Sequence, residues 1–201
     1  MTDRAVFTYA RINPVTKGHS AIVKKIAELA KAEDADPIIF VSLTQDASKN
    51  PLDSQSKIRY IQAAFKGIQV IPMQTPIKAL DWLKANGYDN AIMVVGDDRI
   101  DAFNRFIPSD AMGRVGMNHM ELVSAGVRDP DLEGIEGVSA TKARMAAERG
   151  DYNTFASLVP DTLNDNQTKQ MFDQVRTGMG IIGEPQEEGL DLSEVIGTIL
   201  H

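Results

Sequence analysis

The stretch Ala5-Val-Phe-Thr-Tyr-Ala-Arg-Ile-Asn-Pro-Val-Thr-Lys-Gly-His19 decides the fold. Ala5 to Ala10 is short and apolar, with Val6, Phe7 and Tyr9, the composition of a strand covered on both faces. Asn13, Pro14 and Gly18 then punctuate a loop. From His19 onward Ile22, Val23, Ile26, Leu29 and Ala30 recur at helical spacing, while Lys24, Lys25, Glu28 and Lys31 fall mostly off that face. Strand, loop and amphipathic helix in this order open a β/α unit.

The pattern repeats downstream. Pro37 opens the buried-strand run Ile38 to Val41, and a polar loop through Asn50 and Pro51 leads to a helix near Ser56 to Phe65. A short strand at Ile68 to Ile71 and a helix around Ile77 to Ala85 form the third unit. Ala91 to Val95, ending in Gly96, Asp97 and Asp98 before a helix carrying Ile100, Phe103 and Phe106, forms the fourth. Such alternation predicts an α/β fold, a Rossmann-like doubly wound parallel sheet with right-handed crossovers. The glycine-rich stretch from Pro108 through Gly116 reads as a loop, Glu121 to Ser124 as a last strand, and Gly126 to Gly137 as acidic and irregular. C-terminal helices are expected around Thr141 to Arg149 and Asp165 to Arg176.

Composition narrows the chemistry. With no cysteine in 201 residues, disulfides, thiolate metal sites and cysteine nucleophiles are all excluded. A net charge of -7 argues against a nucleic-acid partner gripped through broad phosphate neutralisation, so any phosphate site must be local. No apolar run approaches the roughly 20 residues that span a bilayer, and the N-terminus has no long apolar signal core. We therefore expect a cytoplasmic protein without a membrane partner.

Three clusters fall where chains leave strands and enter helices, the edge at which such sheets bind ligands. The first is Arg11, Asn13, Thr16, Gly18 and His19. A helix start presents unpaired N–H groups to an anion, Gly18 allows close approach, and Thr16 and His19 add side-chain donors. The second, Ser139, Thr141, Lys142 and Arg144, combines a hydroxyl expected to cap a helix with two cations. The third is Gly96, Asp98 and Arg99 at the end of a buried strand.

The run Thr16-Lys-Gly-His19 resembles the loop of the nucleotidylyltransferase superfamily, which reads His or Thr, any residue, Gly, His. Val138-Ser-Ala-Thr-Lys-Ala-Arg144 is similar to that superfamily's distal Ile-Ser-Ser-Thr-any-any-Arg motif. Ala10 and Ile12 depart from it, standing where many members have glycine and phenylalanine. The Thr-containing loop resembles those of pantetheine-phosphate and nicotinamide-mononucleotide adenylyltransferases, and Gly96-Asp97-Asp98 resembles a Gly-any-Asp pattern of the latter. Segments Ser42 to Leu52, Val94 to Phe106 and Ser124 to Arg144 look like the enzymes of this type encoded by large tailed bacteriophages, which implies the host cytoplasm as location.

The resemblance implies transfer of a nucleoside monophosphate from a nucleoside triphosphate to a phosphorylated acceptor, with pyrophosphate released and Mg2+ as cofactor. ATP is the first donor and nicotinamide mononucleotide the first acceptor, giving NAD. The alternatives are a cytidylyltransferase acting on a phosphorylated alcohol or sugar, and a nucleotide-binding or virion-associated module without turnover. His19, Thr16 and Arg144 are the expected catalytic residues. Tyr9, Ala10, Arg11, Asn13, Gly18, Gly96, Asp98, Arg99, Ser139, Thr141 and Lys142 are the expected nucleotide contacts, and Lys49 and Arg128 are loop cations within reach of substrate phosphates.

Residues 1–178 are expected to form the nucleotidylyltransferase domain, and 179–201 a flexible connector and short tail. Leu190, Leu192, Val195, Ile196, Ile199 and Leu200 could line one apolar helix face there, suited to a docking peptide, to its own domain or to the partner in a homo-oligomer. Ending the chain near Gly183 is expected to leave cooperative unfolding and most activity intact. Loss of cooperativity in a denaturant titration of the shortened chain would mean that the tail completes the core.

Overall fold

The computed structural model describes residues 2–125 and 136–181, with the side chains of Asp98 and of residues 136–139 outside that description. Five strands, β1 (Arg4–Ala10), β2 (Asp36–Ser42), β3 (Gln69–Met73), β4 (Asn90–Val95) and β5 (His119–Ser124), pair in the order β3-β2-β1-β4-β5. Every pairing is parallel. The chain moves outward from β1 to β2 and β3, then crosses back to lay β4 on the other side of β1. The β1/β4 boundary is therefore a topological switch point, where a crevice opens beyond the strand ends.

Alternation along the strands builds two cores. Val6, Ala10, Ile39, Val41, Ile92 and Val94 face α1 (Ser20–Ala32), α2 (Ser54–Ala64), α6 (Glu136–Glu148), α7 (Tyr152–Leu158) and α8 (Asp165–Gly178). Ala5, Phe7, Ile38, Phe40, Ala91 and Met93 face α3 (Pro76–Ala85) and the segment after α4 (Asp97–Asn104). Successive side chains thus enter opposite layers, which is why these strands are apolar throughout and not alternating. On the second face Phe7 meets Phe40 edge-on at 5.6 Å, and Phe40 meets Trp82 at 5.5 Å.

The structure differs from the sequence expectation in four places. The stretch read as a loop after Pro108 is α5 (Ile107–Ser109) followed by a π-helical segment, Asp110–Val115. Pro108 occupies an opening helical position, where its missing N–H costs nothing. Ile107 and Ala111 are fully buried, and Gly116 ends the segment in the left-handed conformation at φ 76°. The second difference is α7, which was not anticipated: Asp151 caps it by accepting from the Thr154 N–H, and Phe155 packs edge-on against Phe172.

Third, α6 begins at Glu136, so Ser139 and Thr141 lie inside the helix and not at its cap. The remainder of the irregular segment expected from Gly126 lies outside the described residues, as do Arg128 and the tail from 182 onward. Fourth, the connector expected from residue 179 onward is still packed at its start. Met179 touches the first core, and a Cβ on Gly178 would lie 2.0 Å from the Pro51 carbonyl oxygen. Gly178→Ala must therefore push the end of α8 off the Pro51 backbone. We expect a loss of about 1–3 kcal/mol, the scale of overpacking a closed contact, read as a lowered Tm with the fold otherwise retained.

Candidate functional site

Beyond the carboxyl ends of β1 and β4 lies a cavity of about 250 Å³ lined by Ala10, Arg11, Ile12, Asn13, His19, Lys49, Arg99, Ala140, Thr141 and Arg144. Four of these are cations, and none is a carboxylate. On a chain with net charge -7 this is the kind of local positive site that an anion requires. A larger groove of about 630 Å³ lies between α1 and the segment after α2, beside the amino end of β2, with Lys24, Lys31 and Lys66 among its lining residues.

The loop after β1 is held by its own polar groups. Asn13 is buried, and its amide bonds the Leu52 backbone twice, Nδ2 donating to the carbonyl at 2.9 Å and Oδ1 accepting from the N–H at 3.0 Å. The Asn13–Pro14 peptide is cis. Ile12 holds φ 45°, a conformation unfavourable for a β-branched residue, and is almost fully buried against the first core. A short 3-10 turn, Lys17–His19, then leads directly into α1.

His19 closes that turn with its ring almost wholly buried, at 3% exposure. Nδ1 accepts from the Thr16 N–H at 3.0 Å, with the Thr16 hydroxyl 2.9 Å from the same nitrogen and the Thr16 carbonyl more distant at 3.3 Å. An Nδ1 lone pair used in this way assigns the neutral tautomer with hydrogen on Nε2, the ring nitrogen on the far side from Thr16. Burial lowers the pKa of His19 to about 4; the Thr16 backbone opposes this, and the Arg99 charge adds to it. Thr16 is itself fully buried and lies behind the ring, so it orients His19 and does not line the cavity.

Arg144 spans the two sequence motifs. Its Nη1 donates to the Asn13 carbonyl at 2.7 Å and its Nη2 to the Thr141 hydroxyl at 3.0 Å. Burial lowers its pKa, Asp46 raises it and Arg11 lowers it again, without bringing a guanidinium near neutrality. Residues 131 positions apart in sequence are thus joined at the cavity rim.

Of the residues expected from sequence, Ala10, Arg11, Asn13, His19, Arg99, Thr141 and Arg144 share the cavity. Tyr9, Gly18, Gly96 and Lys142 do not line it. The Tyr9 hydroxyl donates to the Gln74 carbonyl at 2.7 Å, and the ring packs on the second core. Gly96 stands at the N-cap of α4, where Ser124 Oγ donates to the neighbouring Asp97 carboxylate. The side chains of Asp98 and Ser139 lie outside the described residues.

Lys49 is the lining residue that the motifs alone did not select. Asp46 Oδ1 accepts from the N–H groups of Ser48 at 3.0 Å and Lys49 at 2.7 Å, while paired backbone bonds join Asp46 and Asn50. These bonds hold the Asp46 carboxyl low, at about 2, with the Asn50 side chain the largest cause. The sequence signal was there: Asp46, Asn50 and Pro51 are turn formers bracketing one lysine.

The depressed pKa of His19 makes a stability prediction. As pH falls below about 6.5 the unfolded chain takes up a proton that the folded ring refuses until about pH 4, so stability declines through that window. The full effect is about 3 kcal/mol. In urea titrations at pH 7 and pH 4.5 the His19→Gln protein should lose stability less steeply than the unmodified chain; parallel losses would mean that the histidine titrates normally.

No curated protein matches the chain. The model of a family described as cytidylyltransferase-like matches residues 7–146, an interval that begins in β1, ends in α6 and includes every residue lining the cavity. The chain, a nucleotidyltransferase-type α/β domain with its cationic cavity at the sheet's switch point, belongs to the cytidylyltransferase-like family.

Proposed function

We propose that the protein transfers AMP from ATP to nicotinamide mononucleotide, forming NAD and releasing pyrophosphate. The observation that carries the reading is the meeting of a neutral, buried His19 with Arg11, Lys49, Arg99 and Arg144 around one cavity with no carboxylate among its described lining residues. Support for the adenylyl donor and the nucleotide acceptor comes from the Thr16-Lys-Gly-His19 loop and the Gly96-Asp97-Asp98 segment, both similar to those of nicotinamide-mononucleotide adenylyltransferases.

The reaction needs no covalent protein nucleophile. An acceptor phosphate oxygen attacks the α-phosphorus in line, the bond from that phosphorus to the bridging oxygen breaks, and pyrophosphate leaves with the bond's electron pair. Positioning and charge stabilisation suffice. His19 Nε2–H donates to a non-bridging oxygen of the α-phosphate, with Thr16 fixing the ring behind it. Arg144 and Thr141 hold the departing β- and γ-phosphates, helped by Ser139, with Lys142 a further candidate. Arg11, Lys49 and Arg99 surround the remaining phosphate charge.

Magnesium would enter as part of the nucleotide. Among the described residues no group of three or more His, Asp or Glu side chains is arranged to hold a metal ion, and the lining offers cations instead. That donor set suits an ion carried on triphosphate oxygens, the usual mode for Mg2+ with nucleotides, where it offsets phosphate charge.

Cytidylyl transfer to a phosphorylated alcohol or sugar is the second reading, favoured by the family description. Incubating the protein with Mg2+, each nucleoside triphosphate and a panel of phosphorylated acceptors separates the readings by pyrophosphate release. Release with ATP and nicotinamide mononucleotide is the expected result. Release only with CTP would overturn the adenylyl assignment, and release with no pair would leave a binding module.

His19 is assigned to charge that grows on the way to the transition state. His19→Ala should accordingly lower kcat by about 100-fold or more while changing the KM for ATP much less. Arg144→Ala should raise the KM for ATP as well as lower kcat, because the triphosphate is present before reaction. Near-normal turnover in His19→Ala with any acceptor used by the unmodified protein would reduce the histidine to a structural end-of-turn residue.

A further inference from the structure

One buried charge has no part in the chemistry above. Lys57, on the inner side of α2, is 1% exposed, and its ammonium bonds no carboxylate among the described residues. Nζ donates instead to the Ser42 carbonyl and, at 3.3 Å, to the Thr44 carbonyl. Burial lowers its pKa, and the charge of Asp53 works the other way. The Asp53 carboxylate is itself engaged at the helix cap, by the Ser56 N–H at 2.9 Å and the Ser56 hydroxyl at 2.7 Å.

An ammonium taken out of water without a counterion is costly, and a methionine would fill similar space without that cost. What the lysine supplies, and methionine cannot, is a set of donors for carbonyls at the end of a strand. Ser42 is the last residue of β2, and Leu43 still bonds the Met73 carbonyl at 3.3 Å. The chain leaves the sheet here, and Lys57 grips it on both sides of Leu43.

The segment that follows is fastened at two further points. Asp46 and Asn50 close the turn that carries Lys49, and Asn13 holds Leu52 by two bonds. Only the outgoing stem remains, and Lys57 secures it.

We propose that Lys57 is a positioning residue: by binding the carbonyls of Ser42 and Thr44 it sets the course of the Leu43–Leu52 loop and so brings Lys49 to the phosphate-binding cavity. The proposal rests on the reading of that cavity as a polyphosphate site. Lys57 touches no substrate, and its effect passes through Lys49.

The test uses inorganic tripolyphosphate, whose binding depends on neither base nor acceptor. Its Kd is measured by calorimetry for the unmodified chain, Lys49→Ala, Lys57→Met and the double variant, and amide hydrogen exchange is followed in the same proteins. Lys57→Met should weaken binding about fivefold to tenfold, Lys49→Ala by a similar factor, and the double variant little more than either alone, the non-additivity of residues acting through one another. Exchange should quicken at the amides of Ser48, Lys49 and Asn50 and stay unchanged in β1. Factors that multiply in the double variant, or exchange that rises equally in β1, would make Lys57 a general core residue and overturn the proposal. If Lys57→Met does not fold, Lys57→Gln is judged by the same outcomes. Failure of the unmodified chain to bind tripolyphosphate would instead remove the polyphosphate reading itself, and this proposal with it.

Discussion

The two hydrogen bonds between the Asn13 amide and the Leu52 backbone hold the site together. They join the loop after β1 to the loop after β2 at the sheet's carboxyl edge, and the Asn13 carbonyl receives Arg144 from α6. Three segments distant in sequence thus meet on one residue. Asn13 suits this because its side chain offers a donor and an acceptor side by side, matching a backbone carbonyl and N–H. An aspartate would lack the donor for the Leu52 carbonyl, and the loss would fall on a buried group, where an unmade bond costs most.

The parallel sheet was legible in the sequence because its three inner strands, β2, β1 and β4, are covered on both faces and read as apolar runs, bounded by helices with clear periodicity. The cavity was legible in part because Thr16, His19, Thr141 and Arg144 carry a recognisable order of residue types. Their division of labour was not. Sequence order cannot distinguish Asn13 as a ligand from Asn13 as a clasp, since both roles want a buried amide in a loop; the difference lies in a partner 39 residues away. Tyr9 packs on the second core and not on the cavity because successive residues of a strand face opposite sides, and one residue of register decides which. The region after Pro108 reads as a loop because glycine and proline are loop formers, but proline also opens helices and glycine also ends them, which is what they do here.

Net charge gave a true but incomplete picture. A chain of charge -7 repels polyphosphate at long range, yet the cavity gathers Arg11, Lys49, Arg99 and Arg144 with no carboxylate among its described lining residues. Acidic partners stand further out, as with Asp46, which raises the Arg144 pKa while its own oxygens are occupied by the turn that carries Lys49. Positive charge is thereby concentrated where a ligand would sit, and the Asp46 carboxylate serves to shape the loop.

His19 contributes something that the four cations cannot. Protonating Nδ1 would set its new hydrogen against the Thr16 N–H that now donates to it, stranding a buried backbone donor and placing a fifth positive charge beside Arg99. Burial and the Arg99 charge outweigh the contrary pull of the Thr16 backbone, and the ring remains a neutral donor through Nε2 at any pH well above about 4. A charge attracts every phosphate oxygen in its neighbourhood, before and after reaction alike. A neutral N–H on a fixed ring acts over a short range and along one line, so its bond strengthens most with the oxygen that gains charge directly in front of it. The cations hold a polyphosphate, and the histidine discriminates one oxygen from the rest; on the proposed reading, that separates binding the nucleotide from turning it over.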